Sequence, residues 1–599
     1  MRTRLKAVLL ILTVIVAALG ISAAAGGAHP SLRGDGKCAE GEGGHGGKGG
    51  HGGEGGEGGH QRIAHVLLIS VDGLHQSDLR WYVANHPDSA LARLAHGGVD
   101  YAQAMTPIPS DSFPGMVAQV TGGNPGTTGV YYDAEYNHNL LPAGTTSCTG
   151  KTLGAEVNYF EVIAKNPLAI DSGQGLPGLP DNVLQMTGTP SPSLINANAL
   201  PVDPATCQPV YPHQYIKVNT IFEVARQHGL RTAWSDKHVA YEILNGPSGT
   251  GIQDLFAPEI NSDAQQPGTS GAPAPGGGDY TAVNSRTMQY DSYKVRATLN
   301  QIDGYDHSRS QRVGTPAIFG MNFQTVSTAQ KLPVSDGLNG GYLPGTTTPG
   351  PLLSHALDYI SSSLGSMVNE LAVQGLSKST AIIISAKHGQ SPIDPNALTR
   401  IADGPIVTAL NQAWSTTHPG AGNLVAADPG NLAAGSRDDA FPLWLNDRSP
   451  AAAAFAREFL WSHTATGTTY NAQNPATAGP SRTLPHSGLD AVYTGEEAAD
   501  YFGVSPSDPR HPDLWGVVSH GVVYTGGVKK IAEHGGADFE DRNVPILVYA
   551  PKITQGGTSN RPVETTQIAP TILQLLHLDP NALQAVQSEG TQALPGLNP

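Results

Sequence analysis

Apolar residues in this chain gather into short unbroken runs, separated by helical stretches and by long polar loops. The run HVLLIS at 65–70 leads straight into Val71-Asp72-Gly73, and comparable runs lie at 317–323, 380–385 and 545–550. Runs of this length without polar alternation predict strands buried on both faces, as in a parallel sheet. Ahead of the run at 380–385, Leu353, Leu357, Ile360, Leu364, Met367, Val368 and Leu371 recur at helical spacing, and Gly375 supplies a stop. Helix and buried strand in alternation predict an α/β fold with a mainly parallel central sheet flanked by helices. Gly- and Pro-rich stretches at 266–278 and 337–351 read as long loops. Two larger interruptions, near 140–212 and 400–520, read as insertions over the mouth of one catalytic domain at 62–599. The second should hold a helix around 451–461.

The N-terminus departs from this pattern. Arg2, Arg4 and Lys6 precede an almost wholly apolar stretch at 7–21 and the small residues Ala23, Ala24 and Ala25. That order fits an export signal at 1–25, cleaved after Ala25 or Ala28; an uncleaved anchor is the other reading, since residues 7–25 just reach across a bilayer. Cleavage implies a protein secreted or held in the cell envelope, with no membrane insertion afterwards. Residues 26–61 are dominated by Gly, His and Glu and predict a disordered spacer. Three cysteines suit an exported chain. Cys148 and Cys207 share the first insertion and are expected to pair, whereas Cys38 stands alone in the spacer.

Composition changes this picture little. The formal net charge of −16 argues against binding a nucleic-acid polymer, while leaving a small phosphate ester open as substrate.

The candidate chemistry sits where the apolar runs end. Asp72 follows the first run, so its carboxylate belongs either at the ligand-binding edge of the sheet or in a cap on the next turn. Ser112 precedes Phe113-Pro114 and a helix through 116–120. Its hydroxyl lies at a helix N-terminus, where an anion is favoured and where a plain capping Ser is also common. His388 follows the run at 380–385 and His534 precedes the run at 545–550, each with glycine directly after it. Either imidazole reads as a ligand or as a structural group. Trp234-Ser235-Asp236-Lys237-His238 follows a short strand at 230–234. There Lys237 or His238 could meet a substrate from the sheet edge, or the segment is a charged surface turn.

Taken together, SVDG at 70–73, PSDSFPG at 109–115, SAKHGQ at 385–390 and AEHGG at 532–536 resemble the motifs of the type I phosphodiesterase / nucleotide pyrophosphatase family of the alkaline phosphatase superfamily. The resemblance runs from about residue 63 to 580. It implies an alkaline-phosphatase-like core, Ser112 as nucleophile, and Asp72, His388 and His534 as ligands of a divalent metal, zinc in that family. Asp133 falls where the family usually has an Asn that holds a phosphoryl oxygen, and so joins the catalytic candidates.

The departures matter as much. The family's Asp-His-Gly reads Lys387-His388-Gly389, which places an ammonium where an anionic ligand is expected. The stretch at 322–330 lacks the Asp and His that the family places four residues apart after a middle strand; Asp303 and His307 have that spacing but precede their strand. Two ligands and a Ser oxygen make a weak zinc site. Lys387 could instead sit where metal charge has been lost, paired with Asp72, and lower the pKa of Ser112. Asp133 offers a second route, recruiting a metal in a changed arrangement. The expectation is an exported phosphate-ester hydrolase acting on phosphodiester or pyrophosphate bonds through Ser112 in a modified metal site. The alternative is a degenerate member that only binds a ligand or partner.

Overall fold

The computed structural model describes residues 62–187, 194–269, 271–426 and 437–597. The expected export signal at 1–25, the spacer at 26–61 and Cys38 lie outside the described residues. The apolar runs form the middle of an eight-stranded sheet. Its strands are β1 (His65–Val71), β2 (Val99–Tyr101), β3 (Ala233–Ser235), β4 (Asp254–Phe256), β5 (Ile318–Phe323), β6 (Thr380–Ser385), β7 (Leu547–Tyr549) and β8 (Thr558–Ser559). They lie in the order β8-β2-β7-β6-β1-β5-β3-β4. β1 is parallel to β6 on one side and to β5 on the other, with Leu67 opposite Ile382 and Phe319. β3 runs parallel to β5 and β4, while β7 is antiparallel to β6 and β2.

The lack of polar alternation in β1 has a direct cause. Val66 and Leu68 feed the core on one face of the sheet, while Leu67, Ile69 and Val71 feed the core on the other. Each such side chain contributes roughly 1.5–3 kcal/mol by leaving water. One face is covered by helices that include α1 (Ser112–Thr121), which buries Phe113, Met116, Val117 and Val120. The other is covered by α2 (Pro351–Val373), whose Leu353, Leu357, Ile360, Leu364, Met367 and Leu371 form one buried stripe. Among the described residues no helix is long and apolar enough to cross a membrane.

Residues 399–524 build separate four-stranded and three-stranded sheets around helices Gly404–Thr417 and Pro450–Ser462. They have an apolar cluster of their own, including Leu410, Trp414, Phe441, Leu460 and Tyr524. In the earlier excursion, Cys148 and Cys207 form a disulfide across 59 positions of sequence.

Candidate active site

Five pieces of the chain converge at the carboxyl edge of the parallel strands, where α/β sheets present ligands. β1 delivers Asp72, β6 delivers Lys387 and His388, β3 delivers Asp236 and Lys237, and β5 delivers Asn322 and Gln324. The fifth is α1. Asp111 takes its N-cap position without a side-chain cap bond, and Ser112 is its first residue. Gly115 lets the first turn of α1 close on β6, because a Cβ there would collide with the Lys387 carbonyl. Gln119 adds a hydrogen bond to Ala386 O at 2.9 Å.

Ser112 Oγ accepts a hydrogen bond from Lys237 Nζ at 2.8 Å and lies 3.1 Å from His388 Nε2. His388 Nδ1 is 2.8 Å from Gly389 O, so that nitrogen carries the proton and Nε2 offers a lone pair to the serine hydroxyl. Burial, reinforced by His534, holds the His388 imidazole well below its usual range and keeps it neutral. The two rings stand 3.8 Å apart between centroids. His534 Nδ1 comes within 3.1 Å of Asp111 Oδ1, but the two are not aligned for a hydrogen bond.

Asp72 is fully buried and surrounded by donors. Its Oδ1 accepts from Asn322 Nδ2 at 2.7 Å, and its Oδ2 from Gln324 Nε2 at 2.6 Å and Lys237 Nζ at 3.1 Å. Lys387 Nζ is 3.9 Å from Asp72 Oδ2 and donates to Asp236 Oδ1 at 2.8 Å and Tyr241 OH at 2.7 Å. Burial by itself would push the Asp72 carboxyl up, but Lys387 and Lys237 hold it well below the usual carboxylate range. The lysines part company. Burial draws Lys387 down to about 8 against the pull of Asp236 and Asp72, whereas the same two carboxylates outweigh burial and raise Lys237.

These contacts decide how far a two-metal centre fits. Asp72 and His388 lie together, 3.8 Å apart, yet the space around Asp72 Oδ2 holds one ammonium in hydrogen-bond contact and a second at 3.9 Å. A dication there would face two positive neighbours, so the residues present do not fit a metal at Asp72. On the other side, Gln324 and Thr328 are the neutral residues four apart beyond β5, and both line the same cavity as His534. His534 does lie close to Asp438 and Glu533 in a group with metal-ligand spacing. There too lysine intervenes: Lys331 Nζ is 2.7 Å from Glu533 Oε2, and Lys530 pairs with Glu533 Oε1.

Ser112 opens onto a cavity of about 450 Å³ lined also by Asp133, Lys237, Lys331, Lys530 and His534. Asp133 is half-buried, and burial with Asp111 nearby pushes its carboxyl well up. It lies outside the three groups of metal-ligand spacing found among the described residues. The sequence motifs gave no indication of Asp236, Tyr241 or the amides on Asp72. For Asp236 the only signal was its place in the charged segment after β3.

Part of the chain resembles a known family in sequence, and most of it resembles a solved structure in fold. Residues 66–146, which include Asp72, Ser112 and Asp133, match the profile of the type I phosphodiesterase / nucleotide pyrophosphatase family. No curated protein matches the chain by sequence. Among solved structures, the wild-type alkaline phosphatase PafA is 14% identical with a TM-score of 0.53, over 86% of this chain and 96% of that chain. Human ectonucleotide pyrophosphatase / phosphodiesterase 5 gives 11% identity and a TM-score of 0.46, over 89% of this chain and 97% of that chain. The murine counterpart gives 11% and 0.43, over 86% of this chain and 95% of that one. The fold is alkaline-phosphatase-like. The likeness to the phosphodiesterase / nucleotide pyrophosphatase family is carried by residues 66–146.

Proposed function

We propose that this protein is an exported hydrolase of small phosphate esters, phosphodiesters or pyrophosphates, with Ser112 as nucleophile. The observation that carries this reading is the placement of Ser112 Oγ at a helix N-terminus between Lys237 Nζ at 2.8 Å and His388 Nε2 at 3.1 Å. In the reaction, Ser112 Oγ attacks phosphorus and its proton passes to His388 Nε2. The bond from phosphorus to the leaving oxygen breaks, and that oxygen takes a proton from the imidazolium. Water then attacks the phosphoserine with His388 accepting its proton; the bond from phosphorus to Ser112 Oγ breaks, and Oγ takes that proton back from the imidazolium. Lys237 stabilises the serine oxygen and the phosphoryl oxygens in the role that two zinc ions hold in the resembled family. Lys387 fixes the carboxylates that position Lys237. His534, packed against His388 with its ring tilted by 34°, helps keep that imidazole neutral and in place. Burial with Asp111 nearby favours the protonated form of Asp133, the form that offers a hydrogen bond to a phosphoryl oxygen.

The experiment is hydrolysis of bis(p-nitrophenyl) phosphate and p-nitrophenyl phosphate by the native chain and by Ser112→Ala. The native chain should turn over at least one ester, and Ser112→Ala should lose about a thousandfold or more in kcat with its fold intact. Equal rates would remove Ser112 from the mechanism. A folded native chain that binds phosphate esters without hydrolysing them would establish the ligand-binding alternative, which the lysines around Asp72 also suit.

A further inference from the structure

Charge in the cavity is unevenly matched. Of the lysines that line it, Lys237 is committed to Asp72 and Ser112, and Lys331 and Lys530 to Glu533. Glu161 and Asp279 line the same cavity, and Glu259 lies directly behind His238. The ion-pair partner the structure gives Glu259 is the His238 imidazole, whose Nδ1 is 2.7 Å from Glu259 Oε1. That oxygen also accepts from Asn261 N at 3.1 Å. The other oxygen, Glu259 Oε2, is buried and has no hydrogen-bond partner, in a residue with 0% exposure. An orphaned carboxylate oxygen in the interior is destabilising unless something neutralises it.

Glu161, His238 and Glu259 each offer a ligand atom, all within 4.8 Å of one another. Ligand atoms about 2.0–2.2 Å from a common ion stand roughly 3–4 Å apart, so a small closure completes the geometry. His238 would ligate through Nδ1, the nitrogen that faces Glu259 Oε1 at 2.7 Å, with its proton on Nε2 and the imidazole neutral. Burial pushes Glu161 and Glu259 upward, Asp279 adds to both, and Glu259 adds to Glu161. A divalent cation would relieve all three.

We propose that Glu161, His238 and Glu259 form a binding site for one divalent cation of the zinc or manganese type, set in the wall of the Ser112 cavity. Two carboxylates and one imidazole suit those ions. Glu161 and His238 border the cavity, so an ion between them keeps positions open toward it. This site is separate from Asp72, where ammonium groups occupy the equivalent role.

The test is calorimetric titration of Zn²⁺ and Mn²⁺ into the full, untagged chain, with Glu161→Gln, His238→Asn and Asp438→Asn alongside. One class of site should be present in the native chain and in Asp438→Asn. It should weaken more than tenfold in Glu161→Gln and His238→Asn. Unchanged isotherms in those two, or a loss confined to Asp438→Asn, would overturn the proposal. Should a variant fail to fold, anomalous diffraction from native crystals soaked in Zn²⁺ decides instead: a peak among the three side chains supports the site, and its absence refutes it. Ser112→Ala should bind as the native chain does, which keeps this outcome separate from that of the hydrolase reading.

Discussion

Asp72 meets no solvent, and its negative charge is balanced wholly by side chains: Lys237 and Lys387 by charge, Asn322 and Gln324 by hydrogen bonds. Removing one member of such a group leaves an uncompensated buried charge. Lys387→Met should therefore cost about 3–5 kcal/mol in urea unfolding, and adding Asp236→Asn should recover part of the loss. A second residue-scale prediction concerns pH. His520, half exposed, is raised to about 9 by its hydrogen bond to Asp538 at 3.1 Å. A raised histidine adds stability that is complete below about 6.5 and is lost as pH rises through about 9. Solvent screening keeps it below about 1 kcal/mol, and Asp538→Asn should flatten the stability profile across that window. At this scale the motifs brought Asp72, Ser112 and His388 into view because each lies at the end of an apolar run or the start of a helix. The reach of Lys237 across 125 positions to Ser112 was not legible beyond its being one of two candidates in a charged segment. A flexible four-carbon side chain chooses its partner by tertiary position, which local pattern does not encode.

The relation between α1 and β6 carries the site at the scale of elements. The first turn of α1 lies against the backbone leaving β6, and Gly115 is the point of contact. Gly115→Ala should force that turn away from Lys387, destabilise the fold by about 1–3 kcal/mol and lower kcat at least tenfold, because Ser112 moves with the helix. Denaturation and steady-state kinetics on the same preparation separate the two effects. β1, β5, β6 and α2 were legible because their apolar residues must serve two cores or one stripe. The small sheets within 399–524 were not. Ser481–Leu484, for example, is a four-residue strand of mostly exposed positions with no apolar pattern to betray it. The helix Pro450–Ser462 in the same region was visible from its run of helix-forming residues.

At the scale of the whole molecule, the Cys148–Cys207 bridge constrains an excursion that joins the body of the fold through many short turns. Replacing both cysteines by serine should lower stability by up to about 4 kcal/mol in the chain-entropy account, read as a fall in Tm that reducing agent reproduces in the native chain. The central sheet brings together segments hundreds of residues apart: Ser112 and His388, 276 positions apart in sequence, meet at its carboxyl edge. The ammonium groups beside Asp72 have a last consequence. A dissolved ion must be captured from the surroundings and can be stripped away again, whereas a lysine is tethered to the backbone and arrives with the polypeptide. Occupancy at Asp72 is thus settled at the ribosome, and it stays the same in a mineral-poor setting as in a rich one.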